Sequence, residues 1–205
     1  MNPRMPLVGT LLVLMLMIPC AGNGQAVPAA SDPDLHSFIL AEGSYTRSLG
    51  NLSPTFPSAA GGYVGYGHYF PDHLVALITI GYSGYRVSDG AGGDQKLAAL
   101  QILAGPRYYF MTSGFMPFVF QNIGMNIVTE KITAADFASD RTSAQFAWQV
   151  GVGGAVVVAG PLALEAQAKY NSHFLYPEGS IEGVPDRGNM TGFEYGIGLA
   201  WMLGK

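Results

Sequence analysis

From about residue 36 onward, the apolar residues of this chain recur at every second position. The clearest stretch is the last one. Phe193, Tyr195, Ile197, Leu199, Trp201 and Leu203 alternate with Glu194, Gly196, Gly198, Ala200 and Met202. Alternation this strict and this long describes a β-strand with two unlike faces. Seven earlier segments read the same way, at 36–46, 61–70, 74–87, 96–110, 116–129, 144–158 and 161–171, and the last spans 190–203. Each is as long as the roughly 9–11 residues a tilted strand needs to cross a bilayer. Helical spacing is poor, and glycines interrupt most apolar stretches.

The connections alternate in length. Pro71-Asp72-His73, the stretch around Thr112-Ser113-Gly114, and Gly160-Pro161 are short; 47–60, 88–95, 130–143 and 172–189 are longer and polar. Tight turns on the periplasmic side and long loops outside are the connection rule of bacterial outer-membrane barrels. The expected fold class is therefore all-β: an eight-stranded antiparallel up-and-down transmembrane β-barrel. No internal repeat beyond the hairpin rhythm and no second domain is visible.

The two faces decide between this barrel and a soluble one. In 144–158 one parity gives Phe146, Trp148, Val150, Val152, Val156 and Val158, and the other Gln145, Ala147, Gln149, Gly151, Gly153 and Ala155. In 161–171 Leu162, Leu164, Ala166, Ala168 and Tyr170 oppose Glu165, Gln167, Lys169 and Asn171. In 96–110 Leu100, Ile102, Ala104, Tyr108 and Phe110 oppose Gln101, Gly105, Arg107 and Tyr109. The outward face of a soluble barrel is rich in Lys and Glu. Here the polar face has few charges and many glycines, which suits a narrow lumen of small or interlocked side chains. The apolar face then meets lipid. Tyr69, Phe70, Tyr108, Phe110 and Trp201 gather beside the short turns, where an interfacial aromatic girdle belongs. His68 has the parity of this belt, and His73 falls in a short turn with access to solvent. Gln121 is a misfit, an amide on lipid-facing parity that a β-bulge would excuse.

Composition agrees. Of 205 residues, 49% are hydrophobic and only 12% charged, about half the charged fraction of a soluble domain. The net charge of −4 argues against a nucleic-acid surface, and one Cys argues against a disulfide framework. Arg4 precedes an apolar run, Pro6 to Pro19, too short for a transmembrane helix. It reads as a secretory signal peptide over 1–26, with Gly24-Gln25-Ala26 as the cleavage site and the barrel domain over 27–205. Lipidation at Cys20 is the rival reading, with Pro19 as an unsuitable preceding residue.

The lumen-facing polar residues are Glu42, Gln101, Arg107, Gln149, Glu165, Gln167, Lys169 and Glu194. Counted from the periplasmic ends, Arg107 and Glu165 lie at similar depth across the barrel, and Lys169 and Glu194 at similar depth on neighbouring strands. Two ion pairs are expected, with Glu42 able to share Arg107, because an unpaired buried charge is costly. These residues either plug the lumen or line a small conduction path, and eight strands favour the plug.

With these segments in place, the chain resembles the eight-stranded outer-membrane β-barrel family that includes the OmpA transmembrane domain, OmpX and the opacity proteins. Gly105-Pro106-Arg107-Tyr108-Tyr109-Phe110 is similar to the family's strand before its second periplasmic turn, Pro117-Phe118-Val119 to the opening of the next strand, and Gly196 to Trp201 to its closing strand. The likeness covers roughly 36–203. It implies outer-membrane lipid and the barrel insertion machinery as partners. Glu194, Gly196, Leu199 and Trp201 resemble the family's insertion signal, set inward because the chain ends Met202-Leu203-Gly204-Lys205.

Motifs for chemistry are lacking. There is no P-loop, dinucleotide fingerprint, His-Glu-x-x-His or Cys cluster, so neither a cofactor nor a metal is expected. Some barrels of this kind modify lipid A with a Ser–His–acid site, and Ser172, His173 and Glu178 supply the residue types. Adjacent positions on a strand point to opposite faces, however, which separates Ser172 from His173. The loops carry a modest acidic excess: Asp89, Asp94, Glu130, Asp136, Asp140, Glu178, Glu182 and Asp186 against Lys96, Lys131, Arg141 and Arg187. This serves solubility, or receives a cation or an external partner. The resulting expectation is a monomeric outer-membrane barrel of a Gram-negative bacterium, not an enzyme, with a structural or interactive role in membrane integrity, adhesion or loop display. A narrow porin-like channel or a lipid A-modifying enzyme is the alternative.

Overall fold

The computed structural model describes residues 35–49, 53, 56–71, 73–89, 93–134, 137–175 and 188–204. The expected signal peptide, its cleavage site and Cys20 lie outside them. Eight strands run in chain order: β1 (Leu35–Leu49), β2 (Ser58–Tyr69), β3 (Leu74–Asp89), β4 (Gly93–Tyr109), β5 (Phe115–Ala134), β6 (Phe137–Ala159), β7 (Leu162–Leu175) and β8 (Gly188–Gly204). Each pairs antiparallel with its neighbours, and β1 pairs with β8, so the sheet closes into a barrel with no free edge. Closure satisfies the backbone groups within the wall, the condition for crossing a bilayer with strands.

All eight period-two segments are strands, and the main difference lies at the loop end. The stretch 130–143, read from sequence as a loop, is the continuation of the β5–β6 hairpin. Glu130 pairs in register with Arg141, Lys131 with Asp140, and Ala134 with Phe137. The partner positions are thus of opposite charge type, a sequence pattern that favours a paired hairpin over an open loop. β7 likewise extends to Leu175 and β1 to Leu49.

The short turns are tied down by backbone hydrogen bonds, Phe70 N to Leu74 O at 2.8 Å and Phe110 N to Pro117 O at 2.9 Å. Gly114 (φ 70°) and Gly160 (φ 50°) take the left-handed conformation at two of them, which costs glycine little. His73 takes it in the third (φ 67°). Instead of projecting freely into solvent, His73 is half-buried, with Nδ1 3.0 Å from the carbonyl of Tyr109 and its own carbonyl accepting the Tyr109 N–H.

The outer surface is apolar over a continuous band. Ile78, Ile80, Leu100, Ile102, Ile123, Val150, Val152, Ile197 and Leu199 are all exposed. At the short-turn end the band is rimmed by Phe70, Tyr108, Phe110 and Trp201, with edge-on ring contacts His68–Phe70 and Tyr108–Phe110. At the loop end a second rim, not singled out from sequence, comprises Tyr45, Tyr82, Phe146 and the contiguous rings Trp148–Tyr170–Phe193. Trp201 and Phe193 are eight residues apart on β8, about 26 Å along a strand that rises about 3.3 Å per residue. Tilt shortens that length to about 20 Å of height, which covers most of a lipid-facing band about 25 Å tall.

Tyr69 does not belong to the girdle. Its neighbours His68 and Phe70 take the outward positions, so alternation turns Tyr69 inward. Its ring packs on Phe38 and Tyr109, and its hydroxyl lies 3.8 Å from the sulfur of Met202. Gln121 is exposed on the outer face as its parity requires, but no bulge excuses it: β4 and β5 keep one register from Ala104–Ile123 to Arg107–Phe120. The ladder skips Gly105 and Pro106, where the proline has no N–H to give.

Candidate functional site

The lumen is built by placing large side chains over glycines of the next strand. Phe38 lies on Gly67, Tyr63 on Gly81, Phe118 on Gly153 and Phe120 on Gly151; in each case the two residues are register partners, and a Cβ at the glycine would collide with the ring. This is why the inward face is rich in glycine. An eight-stranded barrel has no room for two large residues side by side at one level.

Three layers result. At the short-turn end Phe38, Val75, Tyr109, Met116, Phe118, Ala155, Ala163, Ala200 and Met202 form an apolar cluster that extends to Leu40, Leu77 and Phe120. At the loop end Phe56, Ala59, Tyr85, Leu97, Ala99 and Val128 form a second one. The polar residues expected from sequence occupy the space between and the inner edge of the first cluster.

Arg107 and Glu165 meet across the barrel. Arg107 Nη1 lies 2.9 Å from both carboxylate oxygens of Glu165 and donates 3.1 Å to the Tyr109 hydroxyl, and that hydroxyl is 3.3 Å from Glu165 Oε1. Both side chains are almost fully buried. The guanidinium also lies 4.2 Å over the ring of Phe118 and about 6 Å from those of Phe38, Tyr109 and Phe120. Cation–π attraction and a bonded counter-charge together offset its desolvation.

Lys169 and Glu194 also pair, at 2.9 Å. Glu42, however, does not share Arg107. Its Oε1 lies 3.1 Å from Lys169 Nζ, and its Oε2 accepts from Gln167 Nε2. It sits on β1 next to β8, over Gly196, and so leans toward the β7–β8 side, away from Arg107 on β4. Lys169 is thus held between two carboxylates, with its ammonium 3.8 Å above the ring of Tyr63. Glu194 Oε2 accepts from Tyr63 (3.1 Å), Thr46 (3.3 Å) and Asn171. Gln101 and Gln149 are linked at 3.1 Å, and the Tyr63 hydroxyl lies 2.9 Å from Gln101 Oε1.

Every lumen residue expected from sequence is therefore in one connected region. Tyr63, Thr46 and Asn122 are members that the sequence reading missed, while Tyr109 and Asn171, read on the polar parity, join them. The signal for Tyr63 was present: it shares parity with Gly65 and Gly67, the small-residue face of β2. A cavity of about 10 Å³, enough for the centre of one water, is lined by Glu42, Tyr63, Asn122, Gln149, Gln167 and Lys169 among others.

Of the Ser172, His173 and Glu178 candidate, the structure describes the backbone of β7 through Ser172 and His173 to Leu175, and Glu178 lies outside the described residues. Among the described residues no cluster of His, Cys, Asp or Glu is arranged to hold a metal ion. Glu194 faces the lumen, Gly196 gives room to Glu42, and Leu199 and Trp201 face outward, so the expected insertion signal carries alternating faces on the closing strand. On the outer face near the short-turn rim, Ser37 Oγ lies 2.7 Å from the Tyr66 hydroxyl and 3.1 Å from His68 Nδ1, which satisfies these polar groups locally.

No protein-family model and no curated protein matches the chain. Solved structures do. Neisserial surface protein A is similar at 18% identity and a TM-score of 0.52, over 82% of this chain and 97% of that one. Ail, the attachment invasion locus protein of Yersinia pestis, is similar at 11% and 0.55, over 83% and 99%. The outer membrane protein OprG from Pseudomonas aeruginosa is similar at 14% and 0.53, over 84% and 98%. At these identities the likeness establishes the fold. The chain has the fold of an eight-stranded outer-membrane β-barrel, and its exposed apolar band between two aromatic rims fits it to that membrane.

Proposed function

We propose that this outer-membrane β-barrel acts as a closed scaffold, a structural and adhesive element that presents its loop-end hairpins at the cell surface. One observation carries the reading: the lumen is filled. Its polar middle is cross-linked by Arg107–Glu165 and by Lys169 with Glu42 and Glu194, it leaves a cavity the size of about one water, and it is flanked by apolar clusters. A steady conduction path needs a continuous wet lumen, and an eight-stranded barrel filled in this way lacks the room.

The β5–β6 hairpin supports display as the role of the outer end. Its strands of 20 and 23 residues exceed the length needed to cross the membrane by about a factor of two. Ail, an attachment invasion locus protein, has also been solved with the heparin analogue sucrose octasulfate. A surface partner is consistent with that use of the fold, while the acidic excess of these loops argues against the same ligand here. In this reading the protein is a monomer, carries no catalytic site or cofactor, and enters the membrane through the insertion machinery by way of Glu194, Gly196, Leu199 and Trp201.

Single-channel recording on the refolded protein tests the closed lumen. Little steady conductance is expected. A large, stable conductance would instead establish a narrow channel, and a shift in lipid A mass on overexpression would establish an enzyme.

A further inference from the structure

Among the described residues, five charged side chains are buried in the lumen: Glu42, Glu165 and Glu194 against Arg107 and Lys169. Arg107 and Glu165 neutralise each other. What remains is one ammonium between two carboxylates, Lys169 with Glu42 and Glu194. A surplus negative charge enclosed by apolar layers in a membrane-spanning barrel is costly, and a buried charge without a partner is relieved by neutralisation.

A second imbalance lies at the same place. Asn122, 3% exposed, leaves Oδ1 without a donor, and so does Gln167 with Oε1; both residues line the cavity that Glu42 lines. The surroundings of Glu42 are short of donors as well as of positive charge. One proton supplies both.

We propose that the lumen is a binding site for a single proton, held on Glu42, so that the central cluster is neutral: a protonated Glu42, the Lys169 ammonium and the Glu194 carboxylate. The choice between the two carboxylates follows from their bonds. Glu194 is the better supported anion: Thr46, Tyr63 and Asn171 all donate to Oε2, and the Lys169 ammonium lies 2.9 Å from Oε1. Glu42 has Lys169 on Oε1 and only the Gln167 amide on Oε2. A half-turn of that amide exchanges its nitrogen for its oxygen. The orphan Oε1 of Gln167 then accepts the Glu42 proton. The titratable and charged groups around Glu42 are Lys169 and Glu165 of β7, Glu194 of β8, Tyr63 of β2 and, across the cavity, Arg107 of β4.

A proton on Glu42 contributes to stability only while it is bound, so stability should fall once the pH is high enough to ionise Glu42 in the folded state. Infrared spectra of the full chain refolded in phospholipid vesicles read the state directly. At neutral pH the wild type should show the carbonyl stretch of one protonated carboxylic acid. Glu42→Gln should remove that band, since Lys169 and Glu194 then balance, and Lys169→Met should strengthen it, since two carboxylates are left without a cation. Denaturant unfolding identifies the seat: Glu42→Gln mimics the neutral acid and should match the wild type at neutral pH, without its loss of stability at high pH, whereas Glu194→Gln should unfold at clearly lower denaturant. Absence of the acid band in the wild type overturns the proposal, most directly if stability then depends on whether sodium or potassium is present, which would place a metal cation in the cavity. A Glu42→Gln barrel much weaker than Glu194→Gln also overturns it.

Discussion

The carboxylate of Glu42 on β1 lies against the backbone of Gly196 on β8, where the absence of a Cβ is what lets it reach Lys169. The contact closes the barrel seam and seats the central charge cluster at once. Gly196→Ala should therefore push Glu42 out of place and lower the unfolding free energy by about 1–3 kcal/mol, the usual cost of overpacking. Gly43→Ala on the same seam, where a Cβ meets nothing within 4 Å, should leave it almost unchanged. Denaturant unfolding of the refolded variants measures both.

The Arg107–Glu165 pair is set among aromatic rings, so either charge alone would be stranded. Arg107→Ala or Glu165→Ala should each cost about 3–5 kcal/mol, and the double variant less than the sum. The double variant should also raise conductance in planar bilayers above that of the wild type, since it removes the side chains that bridge the lumen. Additive losses with no change in conductance would mean that the pair neither couples nor blocks.

Val152 is exposed in the middle of the apolar band, and Thr142 lies further along the same face of β6 toward the loops. Val152→Arg should impair insertion by about 2–4 kcal/mol, and Thr142→Arg by about 0–1 kcal/mol. Gln121→Leu, which replaces an amide on the outer face, should move stability the other way. Equal, mild effects of Val152→Arg and Thr142→Arg in a vesicle folding assay would argue that this surface does not meet lipid.

The alternation of connections predicts a barrel with its short turns in the periplasm. Protease added to intact cells should cut within 50–57 or 176–187 and spare the Pro71 turn and the paired β5–β6 hairpin below Ala134. Fragments mapped by mass spectrometry decide this, and cleavage confined to the Pro71 turn would invert the topology.

The strands were legible because a barrel wall obeys one simple period. Trp201, Val152 and Arg107 take the faces their parity assigns. The depth count that joined Arg107 to Glu165 worked for the same reason: strand position maps directly onto height in the lumen. What was not legible depended on relations between strands. Glu130, Lys131, Asp140 and Arg141 look like loop polarity until register sets them in opposite-charge pairs. Glu42 turned to Lys169 because a glycine on β8, not on its own strand, opened that direction. Tyr69 was misplaced by grouping it with aromatic neighbours when alternation already sent it inward.

The matching of Phe38 with Gly67, Tyr63 with Gly81, Phe118 with Gly153 and Phe120 with Gly151 also bears on assembly. A slip of one residue would turn every side chain to the wrong medium, and a slip of two between β2 and β3 would set Tyr63 against Thr79 or Ser83 in place of Gly81. The glycines thus work as a measuring scale along the wall. The check is local to the strand pairs that carry it, β1–β2, β2–β3 and β5–β6, and does not depend on the seam between β1 and β8.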